Sequence, residues 1–332
     1  MIGLLCLIIT LIVFFPLKAV KANGEALAEG KAECVIEKET GRILYEKRGD
    51  IRLPLASTTK ILTAITVLET CTNIEEMISI PQEAVGIEGS SVYLKCGEEY
   101  TVKDLLYGLM LRSGNDCAVA LALYCSGSIP VFATRMNEIA QKAGALESHF
   151  ENPHGLPCKN HYTTARDLCY ITRYAMKNPI FAQIVATEYY EARAWKNKNK
   201  ILTTYEGAIG VKTGYTKEAG RCLVSAAKRD NMTLICVVLN CQPMYERSAQ
   251  LMDDAFKTYR FVSLIEKGAV LPINSVRGKV METYHYPVTE GELAQLEVRT
   301  SDFSTCQNEK IVGQFRIYLS KRLLFSGNLY KL

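Results

Sequence analysis

A helix that is apolar on nearly every side has to lie at the centre of its domain, and this chain contains one with a lysine in its first turn. Ser57-Thr58-Thr59-Lys60 leads into Ile61, Leu62, Ala64, Ile65, Val67 and Leu68, which leave no polar face for water. The rest of the fold must wrap this segment and take Lys60 inside with it. Residues i and i+3 of a helix share a face one turn apart, so Lys60 can touch Ser57. A serine hydroxyl is a poor nucleophile until a base within hydrogen-bond reach removes its proton. A lysine serves as that base when burial or neighbouring cations lower its pKa. The helix start adds free backbone N–H groups and the positive end of the helix dipole beside Ser57, where negative charge would develop.

Two further strings follow in order. Ser113-Gly114-Asn115 stands 56 residues after Ser57, and Lys212-Thr213-Gly214 a further 99 residues on. The stretch 101–111 reads as a helix opened by a Thr101/Asp104 pair that resembles a capping box, and Asp116 to Tyr124 is apolar again. Arg112 to Asn115 is therefore expected as a short inter-helix loop, where polar side chains can be aimed at a cleft. Ser113 offers a hydroxyl for proton relay to a leaving amine. Asn115 offers an amide that can hold both Lys60 and a substrate carbonyl. The third string lies in Ala208 to Thr216, which reads as a strand. Gly214 lacks a Cβ, so a ligand backbone can approach the strand and pair with it. Lys212 and Thr213 supply a cation and a hydroxyl suited to a terminal carboxylate.

The chain also carries look-alikes. Ser225-Ala226-Ala227-Lys228 sits in a predicted strand, where residues three apart point to opposite faces and cannot cooperate. Ser326-Gly327-Asn328 follows the third string near the end of the sequence and is expected as a turn.

In this order S-x-x-K, S-x-N and K-T-G resemble the active site of the penicillin-recognising serine acyl-transferases. The likeness extends to Ala56 through Ala64, to Leu111 through Asp116, to Asn152-Pro153-His154-Gly155-Leu156, to His161 through Leu168 and to Gly210 through Thr216. Over nearly its whole length the chain resembles the low-molecular-mass penicillin-binding proteins, the D-alanyl-D-alanine carboxypeptidases of bacterial cell-wall metabolism. The resemblance implies that Ser57 forms the acyl-enzyme, Lys60 accepts its proton and Ser113 assists proton transfer. It places Asn115, Lys212, Thr213, Gly214 and Tyr215 around the substrate, with Lys212 on the terminal carboxylate. The backbone N–H groups of Ser57 and Tyr215 would form the oxyanion hole. The implied substrates are peptidoglycan stem peptides ending in D-Ala-D-Ala, with β-lactams as covalent inhibitors and no cofactor.

Two other readings share the motifs. One is a different enzyme on the same scaffold, a D,D-endopeptidase or a β-lactamase. A class A β-lactamase typically reads S-D-N at the second string and adds a Glu for deacylation; here Gly114 stands in the middle and no E-x-x-L-N occurs. The other is a non-catalytic β-lactam sensor, which the presence of every reactive residue disfavours.

Ile2 to Leu17 is an almost unbroken apolar run, followed by Lys18-Ala19-Val20-Lys21-Ala22-Asn23. Val20 and Ala22 fit a signal-peptidase site, so residues 1–22 are expected as a secretory signal and the protein as exported, to the cell wall or the outer face of the cytoplasmic membrane. No Lys or Arg precedes the run, which leaves an uncleaved N-terminal anchor as the alternative. The last residues, Ser326 to Leu332, are too short for the amphipathic anchor helix of the family, so peripheral membrane association would rest on the N-terminal segment.

Composition bounds the remainder. The net charge is +4, falling to +2 without the signal, and 22% of residues are charged, which suggests no nucleic-acid partner. Of twelve cysteines, Cys6 lies in the signal, and the eleven others are irregularly spaced. They read neither as a disulfide framework nor as a metal site; Cys117, Cys222 and Cys236 fit as small core residues. His149, His154, His161 and His285 match no metal-ligand pattern, and His154 is structural by resemblance. A length of 332 residues allows two domains. Strands near 32–37, 42–46, 207–216, 221–229 and 233–240 flank helices near 57–69, 101–111, 116–125, 130–143 and 164–176, with another near 244–260. The expected fold class is α/β (α+β), a β-lactamase/D,D-peptidase-like antiparallel sheet packed by helices. Residues 23–262 would form this catalytic unit, and 263–332 a small all-β domain with strands at 270–280, 294–300 and 311–319.

Overall fold

The computed structural model describes residues 29–274, 276–302 and 310–332; the expected signal segment, 1–22, lies outside them. Strands β1 (Ala32–Glu37) and β2 (Ile43–Lys47) form the first hairpin. The Glu37 carboxylate accepts the N–H groups of Glu39 and Thr40, and Gly41 supplies the left-handed residue with φ 72°. A 3-10 turn, Ala56–Thr59, leads into α1 (Lys60–Thr70). The short pair β3 (Met77–Ser79) and β4 (Glu99–Thr101) precedes α2 (Val102–Tyr107), which runs on as a wide π turn over Gly108–Arg112. Then come α3 (Asn115–Ser126), α4 (Ile129–Lys142), α5 (Ala165–Ala175) and α6 (Pro179–Ala186). After the two-residue strands β5 (Tyr189–Tyr190) and β6 (Trp195–Lys196) and the single-turn α7 (Ile201–Thr204), the chain enters β7 (Ala208–Thr216), β8 (Gly220–Arg229) and β9 (Met232–Leu239).

These strands assemble into one antiparallel sheet in the order β2-β1-β9-β8-β7. Its two faces can be read residue by residue, since alternate side chains point to opposite sides. Cys34, Ile36, Val224, Ala226, Ile235 and Val237 face the large core made with α1, α3, α4 and α5. Val35, Leu223, Leu234, Cys236 and Val238 face the other way, against Leu251 and Met252 of α8 (Met244–Thr258). Both faces are covered, so β1 and β9 are buried along their whole length. Ser225 lies at the sheet–α8 interface beside Ser248, whereas Lys228 is exposed; the first look-alike is split across the strand as expected.

A buried ion pair ties β1 to α8. Arg247 donates from Nε and Nη2 to the two oxygens of Glu33, at 2.8 and 2.7 Å, and Glu33 has no exposed surface. Burial alone would raise the Glu33 carboxyl; hydrogen bonds from Arg247 and Gly30 outweigh it and hold the group below its usual range. Arg247→Ala is expected to cost about 3–5 kcal/mol, because it strands a buried carboxylate. Urea unfolding measures this, and a change under ~1 kcal/mol would show that Glu33 finds water or another donor.

The C-terminal part is β-rich. Strand β10 (Arg260–Ile265) starts where the helix was expected to continue to residue 260. Expected strand 270–280 is instead a hairpin of β11 (Val270–Ile273) and β12 (Val276–Lys279), reversed at Asn274 with φ 49°. Strand β13 (Tyr284–Val288) pairs with β10, and Thr289 and Glu292 form a reciprocal capping box on the single-turn α9 (Glu290–Leu293). Strands β14 (Leu296–Asp302), β15 (Ile311–Leu319) and β16 (Arg322–Lys331) complete a sheet of order β11-β12-β16-β15-β14. The expected turn at Ser326-Gly327-Asn328 is a correction: these residues lie inside β16, opposite Arg316, Phe315 and Gln314. Gly327 is there because the Phe315 ring lies where a Cβ would be, 2.7 Å away. Arg42 of the first unit reaches across to the carbonyl of Pro287 and the carboxylate of Glu292.

Candidate active site

The turn that carries Ser57 is held from three sides. Thr58 Oγ1 donates to Leu55 O at 2.6 Å and Thr59 Oγ1 to Ala56 O at 2.9 Å. Below it, Gly155 (φ 86°) packs so closely that a Cβ would sit 1.9 Å from Ala56 O. Since the Thr59 hydrogen goes to Ala56, His161 donates from Nε2 to Thr59 Oγ1 and accepts Glu151 N–H at Nδ1. Burial pushes His161 down to about 4 and His154 to about 3, so both rings are neutral supports at neutral pH.

Lys60 has no exposed surface. Its Nζ lies 2.9 Å from Ser57 Oγ, 2.6 Å from Asn115 Oδ1 and 2.8 Å from His154 O. Burial first, and the Lys212 charge second, hold its pKa well below the usual lysine range. A neutral amine has two N–H groups and one lone pair. Asn115 Oδ1 and His154 O accept the two hydrogens, which leaves the lone pair facing the Ser57 hydroxyl. That is the arrangement of a base beside a nucleophile.

The second string sits at the end of the π turn. Ser113 adopts φ 64°, a left-handed conformation rare for serine, and Asn115 is the first residue of α3 rather than part of a loop. Asn115 donates from Nδ2 to Glu88 O and from its backbone to Ser90 O at 2.7 Å. The adjoining Asp116 carboxylate accepts Val92 N–H at 3.0 Å, Leu94 N–H at 3.1 Å and the Ser91 hydroxyl. The segment 88–94 is thereby fastened along the second string.

The third string runs past the turn that carries Ser57. A Cβ on Gly214 would lie 3.0 Å from Leu55 O and 3.1 Å from the backbone nitrogens of Ser57 and Thr58. Gly214→Ala is therefore expected to push β7 away from Ser57 and to lower acylation by ~10-fold or more with little change in substrate affinity. Stopped-flow acylation checks this; an unchanged rate would mean the strand–turn gap is not critical. Lys212 is 2% exposed, donates to Thr213 O at 2.9 Å, and is lowered to about 7 by burial and by Lys198. Tyr215 stands 62% exposed under the Arg221 guanidinium.

Ser57, Ser113, Thr213, Gly214 and Tyr215 line one cleft of about 370 Å³, with Lys60 and Asn115 behind Ser57. Its other walls are Ser90, Lys198, Lys200, Arg221, Met244 and Tyr245. A larger hollow, about 720 Å³, lies where α8 meets β10 and contains none of the motif residues.

Residues 19–243 match the model of the D-alanyl-D-alanine carboxypeptidase family of serine peptidases, family S11. The chain belongs to this family. It is 34% identical over 290 residues to the D-alanyl-D-alanine carboxypeptidase DacF of Bacillus subtilis, covering 82% of this chain and 75% of that one. It is 40% identical over 223 residues to a D-alanyl-D-alanine carboxypeptidase of Streptomyces sp. K15, covering 60% and 77%. Among solved structures, the carboxypeptidase DacD of Francisella tularensis superposes with a TM-score of 0.72 at 26% identity over 96% of both chains. A variant of the Streptomyces K15 DD-transpeptidase superposes at 0.66 and 34% identity, over 70% of this chain and all of the other. In this D-alanyl-D-alanine carboxypeptidase residues of all three strings meet around one cleft, with Lys212 buried and outside its lining. Sequence reasoning missed the Lys60 contact with His154 O, which is a backbone contact with no residue signature. It also missed Ser90, Lys198, Lys200, Arg221 and Tyr245, which enter the cleft from separate loops and strands with no motif of their own.

Proposed function

We propose that this serine peptidase removes the terminal D-Ala from peptidoglycan stem peptides ending in D-Ala-D-Ala, through an acyl-enzyme on Ser57. Neutral Lys60 takes the Ser57 proton as Oγ bonds to the penultimate carbonyl carbon. The oxyanion accepts the backbone N–H groups of Ser57 and Tyr215. As the C–N bond breaks, Ser113 relays the proton to the leaving D-Ala nitrogen, and a water then hydrolyses the ester with Lys60 again as base. Lys212 and Thr213 hold the terminal carboxylate, and Asn115 holds Lys60 and the substrate carbonyl. β-Lactams acylate the same hydroxyl. The observation that carries this reading is the charge of the cleft: Lys198, Lys200 and Arg221 line it and, among the described residues, no carboxylate does, which suits a peptide that ends in a free acid. Export through the N-terminal segment, with action at the cell wall, belongs to the same proposal.

Lys212 tests the substrate class. Lys212→Ala is expected to lower kcat/KM ten- to a few hundredfold for a free-acid peptide, from a charge-assisted contact worth about 1.5–3 kcal/mol, and far less for the amidated peptide. The pH profile gives the sign independently. Activity requires neutral Lys60 and protonated Lys212, so kcat/KM for the free acid should fall as pH rises through about 7, where Lys212 loses its proton. Lys212→Arg should move that limb upward, since a guanidinium does not titrate there, while restoring only part of the rate. Equal losses for free-acid and amidated peptides would favour an endopeptidase, the activity named for a Pseudomonas aeruginosa relative at 29% identity.

A further inference from the structure

Ten cysteines among the described residues are present as thiols, and one pair is placed unlike the rest. Cys34, Cys169 and Cys236 are buried in the sheet–helix core, where an oxidant has no path. Cys71 and Cys125 are both partly exposed, and their sulfurs lie 3.1 Å apart. A disulfide needs about 2.05 Å, so closing the gap takes a movement of about 1 Å, within reach of small side-chain rotations. Cys71 is the residue that ends α1, and Cys125 lies in the last turn of α3. The same two helices carry Lys60 and Asn115 at their first residues, joined by the 2.6 Å hydrogen bond. The active-site contact and the sulfur pair thus mark opposite ends of one helix–helix seam.

We propose that Cys71 and Cys125 are a dithiol site that a small-molecule disulfide oxidises to a disulfide bond, stapling α1 to α3 at the end remote from the cleft. In the first step the Cys71 thiolate attacks one sulfur of the oxidant and expels the other half as a thiolate. In the second, Cys125 gives up its proton and attacks Cys71 Sγ, expelling the second half. Two protein thiols become one disulfide, and the oxidant is reduced to two thiols. The order follows from the pair itself: the hydrogen bond with Cys125 lowers Cys71, whereas that bond and burial raise Cys125. The staple closes a loop between residues 54 apart in sequence, long enough to remove substantial freedom from the unfolded chain.

The test uses the whole purified chain, reduced and then equilibrated in glutathione buffers from reducing to oxidising, acid-quenched and alkylated. Peptide mapping without reductant should find the Cys71 and Cys125 peptides linked as the major species at the oxidising end, with the pair lighter by two hydrogens. The oxidised protein should melt ~5 °C or more above the reduced one, reversibly with dithiothreitol, and this gain should vanish in Cys71→Ser and in Cys125→Ser. In Cys125→Ser a glutathione adduct should accumulate on Cys71, because nothing resolves it. Alkylation of both residues as free thiols at every ratio would overturn the proposal, as would linkage of either to a different cysteine in the wild-type chain; the mapping stands even if a serine variant folds poorly.

Discussion

Ser57→Ala should eliminate D-Ala release and β-lactam labelling together, each by a factor on the order of 10⁴ or more, because both pass through one ester. The hydroxyl is the only atom removed. It is partly exposed and hydrogen-bonds to Lys60 Nζ, so stability should change by less than about 1 kcal/mol. A melting curve matching wild type, combined with absent labelling by a fluorescent penicillin, separates lost chemistry from lost fold. Labelling of the variant at the wild-type rate would move the nucleophile elsewhere.

Removing the base should be nearly as severe. General-base catalysis is worth about 10²–10⁴-fold, and Lys60 also positions Ser57, so loss of acylation by ~10³-fold or more is expected. The choice of substitution matters. Lys60 is among the largest fully buried side chains, so Lys60→Ala would open a cavity as well as delete the amine. Lys60→Met keeps most of the volume and removes the lone pair; its fold should persist, with Asn115 Oδ1 and His154 O losing a donor. Acylation of Lys60→Met within tenfold of wild type would mean that another group takes the Ser57 proton. The pH dependence points the same way. A lysine whose pKa is lowered in the folded enzyme is neutral at pH values where a solvated one is charged. With an amidated substrate, which makes no use of the Lys212 charge, acylation should therefore rise with pH through the lowered Lys60 value and reach a plateau well before the ordinary lysine range.

Most of the candidate site was legible because its residues sit at fixed helical and strand offsets. Ser57 and Lys60 are one turn apart, Gly214 follows Lys212 along a strand, and the apolar run after Lys60 forces it inside. The antiparallel sheet was legible because β9 is an almost continuous apolar run, and β1, β7 and β8 are short β-prone stretches bounded by turn residues. What failed was local. Gly327 looked like turn punctuation, yet a phenylalanine from the neighbouring strand requires it. Residues 270–280 read as one strand because Val270 to Ile273 and Val276 to Lys279 are both β-prone, and the turn signal of Asn274 between them is a single residue. The helix expected over 101–111 widens into a π turn at Gly108, where Cys117 Sγ would lie 2.7 Å from a Cβ; that crowding is tertiary and invisible in sequence. Lys198, Lys200 and Arg221 were unreadable for the same reason, since each joins the cleft through folding from an unremarkable stretch.

The most direct measurement is a rapid acid quench of the enzyme with an N-acylated peptide ending in D-Ala-D-Ala, followed by intact-mass and peptide mapping. The adduct expected is the substrate minus its terminal D-Ala, held as an ester on the peptide containing Ser57, with D-Ala released in equal amount. Turnover of the peptide with no D-Ala released, or with the acyl group on any residue other than Ser57, would contradict the assignment.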